Sequence, residues 1–237
     1  MIVVSGGFMK IAMWSGPRNL STALMYAFGN RPDFAVWDEP FYAAYLKATG
    51  VEHPMRDEVL AAYDTDSHEV SLRIMNQTGN LFLKLMSFHM CPGFSFDWAS
   101  DCVHAHLIRH PARVVASYVA KREKPTLRDI GFEQQVEVYE RFPGPVIDSA
   151  HIRNNPQKAL IGLCSALDLE FDPAILSWPA GPKQFDGVWA AHWYNAVHQS
   201  TGFAGPEGSL PELEGDAAAL VEQALPYYER LRAEAIT

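Results

Sequence analysis

The sequence predicts an α/β protein of three layers, a mostly parallel sheet flanked by helices on both faces. Short apolar runs of strand length recur at 11–14, 34–37, 81–86, 103–108 and 145–148, and stretches with helical spacing separate them. Strands alternating with helices pair in parallel through crossovers. The composition agrees: 237 residues, 48% hydrophobic and 20% charged, can bury a large core and do not resemble a disordered chain. The length suits one domain over 1–237, with 178–237 expected as a helical lid or side layer.

The first strand, Ile11-Ala12-Met13-Trp14, runs into the turn formers Ser15-Gly16-Pro17-Arg18-Asn19. Ser21-Thr22 then opens a helix that Gly29-Asn30-Arg31-Pro32 stops. Main-chain N–H groups at such a helix start lack internal partners and sit at the positive end of the helix dipole, where anions bind. Arg18 adds a charge, and Ser21 and Thr22 add hydroxyls, so the loop reads as a phosphate or sulfate cradle. The same residues also fit a helix capped by Asn19 or Ser21 with Arg18 in solvent. No second Gly-Lys follows Gly16, so this is not the usual nucleoside triphosphate loop.

The second strand, Phe34 to Trp37, ends on Asp38-Glu39-Pro40, and short helices are expected at 41–49 and 55–63. Helical spacing recurs over 67–77. The third strand, Leu81-Phe82-Leu83-Lys84-Leu85-Met86, closes on Ser87, Phe88 and His89. A loop or single turn at 92–100 precedes the fourth strand, which ends on Arg109-His110-Pro111. Pro111 suits a helix's first turn, and that helix is expected to reach about residue 122. Further helices are read at 132–142 and 156–167, and 145–148 reads as a short fifth strand. A loop from Trp178 to Lys183 leads to a helix over 187–199; another loop leads to two helical pieces over 216–235, broken before Pro226.

A net charge of −9 and a pI near 5.4 disfavour nucleic acid or an anionic membrane as the main partner. Cys91, Cys102 and Cys164 are odd in number and widely spaced, the pattern of reduced thiols in a cytoplasmic protein. No apolar run approaches transmembrane length. Residues 1–8 are too short for a signal peptide and lack its charged start, and Met9 offers an alternative start.

In such sheets ligands bind beyond the carboxyl ends of the strands. Past the first strand lie Gly16 to Thr22, past the second Asp38 and Glu39, past the third Ser87 and His89, and past the fourth Arg109. These groups should converge on one rim. Ser117 falls about two helical turns beyond Arg109. An arginine at the helix mouth and a hydroxyl farther along can hold a second phosphate, because the guanidinium fork donates two parallel hydrogen bonds. A ligand with phosphates at two ends would bridge the two elements.

With both elements in view, the chain resembles the sulfotransferase superfamily, which has a P-loop-like fold and uses 3′-phosphoadenosine 5′-phosphosulfate (PAPS). Gly-Pro-Arg-Asn-Leu-Ser-Thr (16–22) resembles that family's 5′-phosphosulfate loop. Leu-Ile-Arg-His-Pro-Ala-Arg-Val-Val-Ala-Ser-Tyr (107–118) resembles its 3′-phosphate element, with Arg109, Pro111 and Ser117 at matching spacing. Trp-Asp-Glu-Pro-Phe (37–41) is similar to the Glu-Pro after the second strand in carbohydrate and bacterial members. Arg18 stands where cytosolic members have lysine. The late Arg-Lys-Gly triplet is absent, with Lys183 in its place.

The resemblance implies transfer of a sulfuryl group to a hydroxyl of a small-molecule acceptor. It implies nucleotide contacts from Gly16, Pro17, Arg18, Asn19, Ser21, Thr22, Arg109, Ser117 and Lys183, with Arg18 stabilising charge on the leaving phosphate and no metal needed. Glu39 ranks first as base for the acceptor hydroxyl and His89 second. Asp38 is expected to orient Arg18 or another cation. His104 and His106 share a strand face but lack a third metal ligand in sequence. Trp189, Trp193, Tyr194 and Phe203 fit either an acceptor pocket or packing, and Tyr227 and Tyr228 read as packing. Two other classes stay open: an ATP-using phosphotransferase on the same plan, which lacks its Gly-Lys-Ser/Thr, and a non-catalytic protein that keeps the fold. Oligomers are possible.

Overall fold

A computed structural model describes residues 8–121 and 124–237. β1 (Lys10–Ser15) is followed by α1 (Ser21–Gly29), β2 (Phe34–Asp38), α2 (Tyr42–Thr49), α3 (Arg56–Ala62), α4 (Ser67–Asn76) and β3 (Asn80–Met86). Then come β4 (Val103–Ile108), α5 (Pro111–Val119), α6 (Leu127–Ile130), α7 (Phe132–Arg141) and β5 (Val146–Asp148). The chain continues through α8 (Ser149–Asn154), α9 (Pro156–Ala166), α10 (Ala190–Trp193), α11 (Asn195–His198) and α12 (Gly215–Arg232).

The five strands form a parallel sheet in the order β2-β3-β1-β4-β5, with β1 at the centre and buried along its length. Alternation sends side chains to opposite faces. Ile11 and Met13 join one core with Leu24, Met25 and Phe28 of α1. Ala12 and Trp14 join a second core with Val70 and Ile74 of α4, Trp98 and Val138 of α7. Two cores on two faces make the three layers that the sequence predicts. Lys10 can begin a buried strand because its Nζ donates to the carbonyls of Ile74 and Met75, at 2.8 Å each. The connection leaving β1 passes to the β2 side of the sheet, and the one leaving β3 passes to the β4 side. A crevice therefore opens beyond the carboxyl end of β1.

The strands lie within a residue or so of their expected bounds, and the differences fall among the helices. The loop or single turn expected at 92–100 contains the 3₁₀ turn Asp97–Asp101. Three unanticipated short pieces, α6, α8 and a 3₁₀ turn at Pro173–Leu176, are set by local caps. Thr126 and Asp129 form a reciprocal box, Asp148 accepts from the Ala150 N–H, and Asp172 accepts from the Ala174 N–H. The helix expected over 187–199 is instead α10 and α11, parted at Tyr194, whose hydroxyl is held by Asp38 and Lys84 beneath the crevice. The break expected before Pro226 does not occur. α12 runs through it, because Glu222, whose carbonyl the missing N–H would have met, is solvent-exposed, while Leu220, Ala224, Tyr228 and Leu231 anchor the other side in a core with α5 and α7. Residues 1–7, and the expected end of the helix from Pro111 at residue 122, lie outside the described residues.

Candidate functional site

A cleft of about 430 Å³ lies beyond the carboxyl edge of β1, β3 and β4. Pro17, Arg18, Asn19, Ser21 and Thr22 form one wall, and Arg109 and Ser117 another. Glu39, Lys84 and His89 face it from the ends of β2 and β3, and Trp189, Trp193 and Tyr194 line it from the late part of the chain. Residues from all four predicted strand ends thus meet at one place, although Gly16, Asp38 and Ser87 stand behind the lining, Ser87 fully buried with its hydroxyl on the Ser15 carbonyl.

The first loop is held open by its backbone. Arg18 and Leu20 have φ of 59° and 77°, a region costly for residues with a Cβ. The α1 start has no side-chain cap, and Leu24, bonding to the Leu20 carbonyl, makes the first helical turn's bond. The N–H groups of Ser21, Thr22 and Ala23 therefore have no intrahelical acceptor. This corrects the capping reading: Asn19 does not cap α1 but donates its amide to the Leu107 carbonyl of β4 at 2.9 Å, tying the loop to the sheet. Gly16 stands behind the lining, where a Cβ would come within 2.9 Å of the Ile130 carbonyl. Its role is a close approach of loop to α6.

Arg18 lies 4.7 Å over the Trp193 ring and 5.4 Å over that of Tyr118. Arg109 donates from Nη1 to the Arg18 carbonyl at 2.5 Å and pairs through Nη2 with Glu207. Arg153 also lines the cleft and reaches Glu207 Oε1 at 3.0 Å, and Arg113 approaches Oε2 at 3.1 Å. Lys183 is not brought to the cleft. Its Nζ donates to the Pro179 carbonyl, and its main-chain N–H is held by Asp186, so the lysine closes its own loop.

The cleft floor is a buried ionic cluster. Lys84 Nζ meets Asp38 Oδ1 at 2.9 Å, Glu39 Oε1 at 2.5 Å and the Tyr194 hydroxyl at 2.5 Å. Tyr194 in turn donates to Asp38 and accepts from Trp189 Nε1, and the Gly187 N–H donates to Asp38 Oδ2. Asp38 therefore orients Lys84 rather than Arg18. Burial works against the Lys84 charge, but Asp38 and Glu39 more than offset it and hold the ammonium well above its usual range. Burial raises the Glu39 carboxyl, with Lys84 opposing. Glu39 sits at φ 43°, its main-chain N–H donating to the Lys84 carbonyl, so strand pairing fixes the strained turn that aims it.

His89 is stacked between Tyr42 and Tyr45, with ring centroids 4.8 and 4.7 Å away. Its Nδ1 is buried without a hydrogen-bond partner, 3.9 Å from Glu39 Oε2. Burial, helped by His53 and Lys84, holds it well below the usual histidine range, so it is neutral at pH 7.

Lys84, Arg153 and Glu207 were not among the sequence candidates, and Tyr194 was read only as pocket lining or packing, not as a partner of Asp38 and Lys84. Lys84 alone left a signal, a single cation inside the buried strand run Leu81 to Met86.

Other candidates resolve into packing. His104 accepts from Trp14 Nε1 and bonds the Ala99 carbonyl, and His106 bonds the Phe142 carbonyl. No group of three or more His, Cys, Asp or Glu able to hold a metal ion occurs among the described residues. Phe203 packs edge-on against Trp178. Tyr228 is buried with its hydroxyl on Asp148, and Tyr227 bonds Glu133.

Four histidines, His89, His104, His106 and His110, are held below the ordinary value near 6.5, burial being the leading cause for each, and His106 reaches about 4. The unfolded chain therefore takes up protons first as the solution is acidified. Stability from these groups is complete above about pH 6.5 and declines as pH falls toward their folded values. The melting temperature is expected to drop between pH 7 and 5, and less steeply in His106→Gln. A flat or rising profile would contradict this assignment.

The fold and cleft define an α/β protein with arginines and an uncapped helix start at the carboxyl edge of a parallel sheet. The Sulfotransferase domain family matches residues 9–235, and the chain belongs to that family. Two Arabidopsis thaliana proteins, branched-chain-amino-acid aminotransferase-like proteins 1 and 2, are 37% and 36% identical over 94% of this chain. The matched region is 41% of each, so the chain spans about two fifths of the length of these relatives. Among solved structures, a sulfotransferase domain from the curacin biosynthetic pathway superposes with a TM-score of 0.51 at 14% identity, covering 92% of this chain and 97% of that one. A sulfotransferase from Alicyclobacillus acidocaldarius gives 0.54 at 13% identity, covering 95% and 94%. At such identities the likeness shows the shared fold.

Proposed function

We propose that this protein transfers a sulfuryl group from PAPS to a hydroxyl of a small-molecule acceptor. The observation that carries the reading is that Arg18 and Arg109, from separate strand ends, face one cleft with Glu39, Lys84 and His89 at its floor. The donor set fits the nucleotide. The uncapped N–H groups of α1, with Arg18, Ser21 and Thr22, suit a phosphosulfate, while Arg109 and Ser117 suit a second phosphate. Bound PAPS would supply the sulfuryl group, its bond to the 5′-phosphate oxygen breaking as one forms to the acceptor oxygen.

Arg18 stabilises charge at the leaving oxygens, set against the rings of Trp193 and Tyr118 and so prearranged for that task. Glu39 takes the acceptor proton on Oε2, the oxygen not held by Lys84, and burial makes it a stronger base than an exposed glutamate. Lys84 fixes Glu39 in place, and neutral His89 is the second group able to accept the proton. The aromatic cover of Trp189, Trp193 and Tyr42 favours an acceptor with an apolar body. We place the protein in the cytoplasm, where its three buried thiols stay reduced. No helix among the described residues is long and apolar enough to cross a membrane.

Calorimetry with PAP, beside ATP–Mg²⁺, tests the reading. PAP is expected to bind and to raise the melting temperature more than ATP–Mg²⁺ does; no binding at millimolar PAP would end it. Arg18→Ala is expected to lower turnover by on the order of 10²-fold with a smaller loss of PAP affinity. Arg109→Ala should chiefly weaken PAP. Small and equal effects from both would remove the assigned roles.

A further inference from the structure

Three guanidinium groups converge on one carboxylate at the rim of the cleft. Glu207 Oε1 is held by Arg109 and Arg153, and Oε2 faces Arg113. The Glu207 side chain is only 8% exposed, although its neighbours Gly205, Pro206 and Gly208 are all exposed. Between Phe203 and Leu213, which pack at the loop's ends, it is the one inward-pointing charge. Two of the three arginines, Arg109 and Arg153, also line the cleft.

That loop is fastened by the arginines themselves. Arg153 donates to the Gly205 carbonyl at 2.8 Å, and Arg113 donates to that of Gly208. Among the described residues, no bond between main-chain groups ties 204–213 to another segment; the last such tie is the bridge between Ser177 and Gly202. Added Cβ atoms at Gly205 or Gly208 would meet nothing within 4 Å, so the loop is not packed against the body at those points. Phe203 and Leu213 pack at its two ends; between them its hold on the molecule is largely electrostatic, and the anchoring charge is the group the arginines would exchange for a ligand.

Charge and geometry favour that exchange. One carboxylate brings one negative charge and two oxygens to three cations. A phosphate monoester brings nearly two charges and three oxygens, and arginine forks match it bidentately. We propose that Glu207 is a built-in occupant of the Arg109–Arg113–Arg153 anion site, displaced by a phosphate monoester of the ligand, and that the 203–213 loop is released when this group enters. The inference rests on the nucleotide reading above and adds to it a gate. The site selects ligands bearing the second phosphate, because only that group both evicts the carboxylate and replaces its contacts.

The experiment compares PAP with AMP, which lacks the 3′-phosphate, on the wild type and on Glu207→Gln, with hydrogen exchange followed across 203–213. Removing the competing charge is expected to tighten PAP about tenfold while leaving AMP unchanged. Exchange of 203–213 should quicken on PAP binding to the wild type and be quick already in the variant. Equal changes for PAP and AMP, or none, would overturn the gate, as would a loop that exchanges more slowly with PAP bound. If neither nucleotide binds either protein, the nucleotide reading fails by itself, and the anion site is then judged with inorganic phosphate. Phosphate that neither binds more tightly to the variant nor speeds loop exchange in the wild type overturns the displacement too. Should Glu207→Gln not fold, Glu207→Asp, which keeps the charge but shortens its reach, is expected to shift PAP and exchange in the same directions.

Discussion

Glu39→Gln is expected to cut turnover by on the order of 10²–10⁴-fold, the range lost when a positioned general base is removed, while PAP binding is kept. The substitution preserves shape and removes the ability to take a proton, together with one of the two charges that face Lys84; Asp38 keeps the other. Three features single out this carboxylate. Burial raises its affinity for a proton. Lys84 grips Oε1 and leaves Oε2 3.9 Å from His89 Nδ1. The strand-end turn at φ 43° fixes its direction. Single-turnover rates with saturating donor would separate this from a binding defect. The informative partner is His89→Gln. Loss in that variant with retention in Glu39→Gln would move the base to His89, and retention in both would leave neither residue with the role.

Lys84→Met is expected to destabilise the fold by about 3–5 kcal/mol, because it leaves buried carboxylates without their counter-charge. For a chain of this size that corresponds to a fall in melting temperature of roughly 6–20 °C. Methionine fills a similar volume, so packing loss should contribute little. The Asp38 carboxylate keeps the Tyr194 hydroxyl and the Gly187 N–H, which places the effect toward the lower end. Adding Asp38→Asn should recover part of the loss, since the two residues are in direct contact and their effects will not add. A single-variant loss under about 1 kcal/mol would show that the cluster tolerates unpaired carboxylates, and the fixed orientation of Glu39 would lose its explanation.

These two residues also show how unevenly the site could be read from the chain. Glu39 was visible because it follows a strand run and precedes a proline, both local facts. Lys84 stood in plain view as a lone cation in a buried strand. Its partners became evident only when parallel pairing set Asp38 beside it in register and the late chain delivered Tyr194 to the same point. Lys183 failed in the opposite direction: its position in sequence suggested the nucleotide, but the Pro179 carbonyl and Asp186 turn it into its own loop.

What the sequence determined by itself was the sheet's five strands, the two strand-to-helix turns carrying Arg18 and Arg109 at the ends of the first and fourth, and their meeting on one rim. Strand alternation, turn residues and helix starts act over a few residues, so their outcome is written locally. Tertiary structure alone decided that Pro226 could lie inside a helix and that Asn19 ties to β4 instead of capping α1. It also decided that Glu207 sits among three arginines. Each of these depends on which distant group shares a buried space. The energy of a charge or an unpaired donor is set by that neighbour and by the water excluded with it, and neither is specified by the residues alongside in the chain.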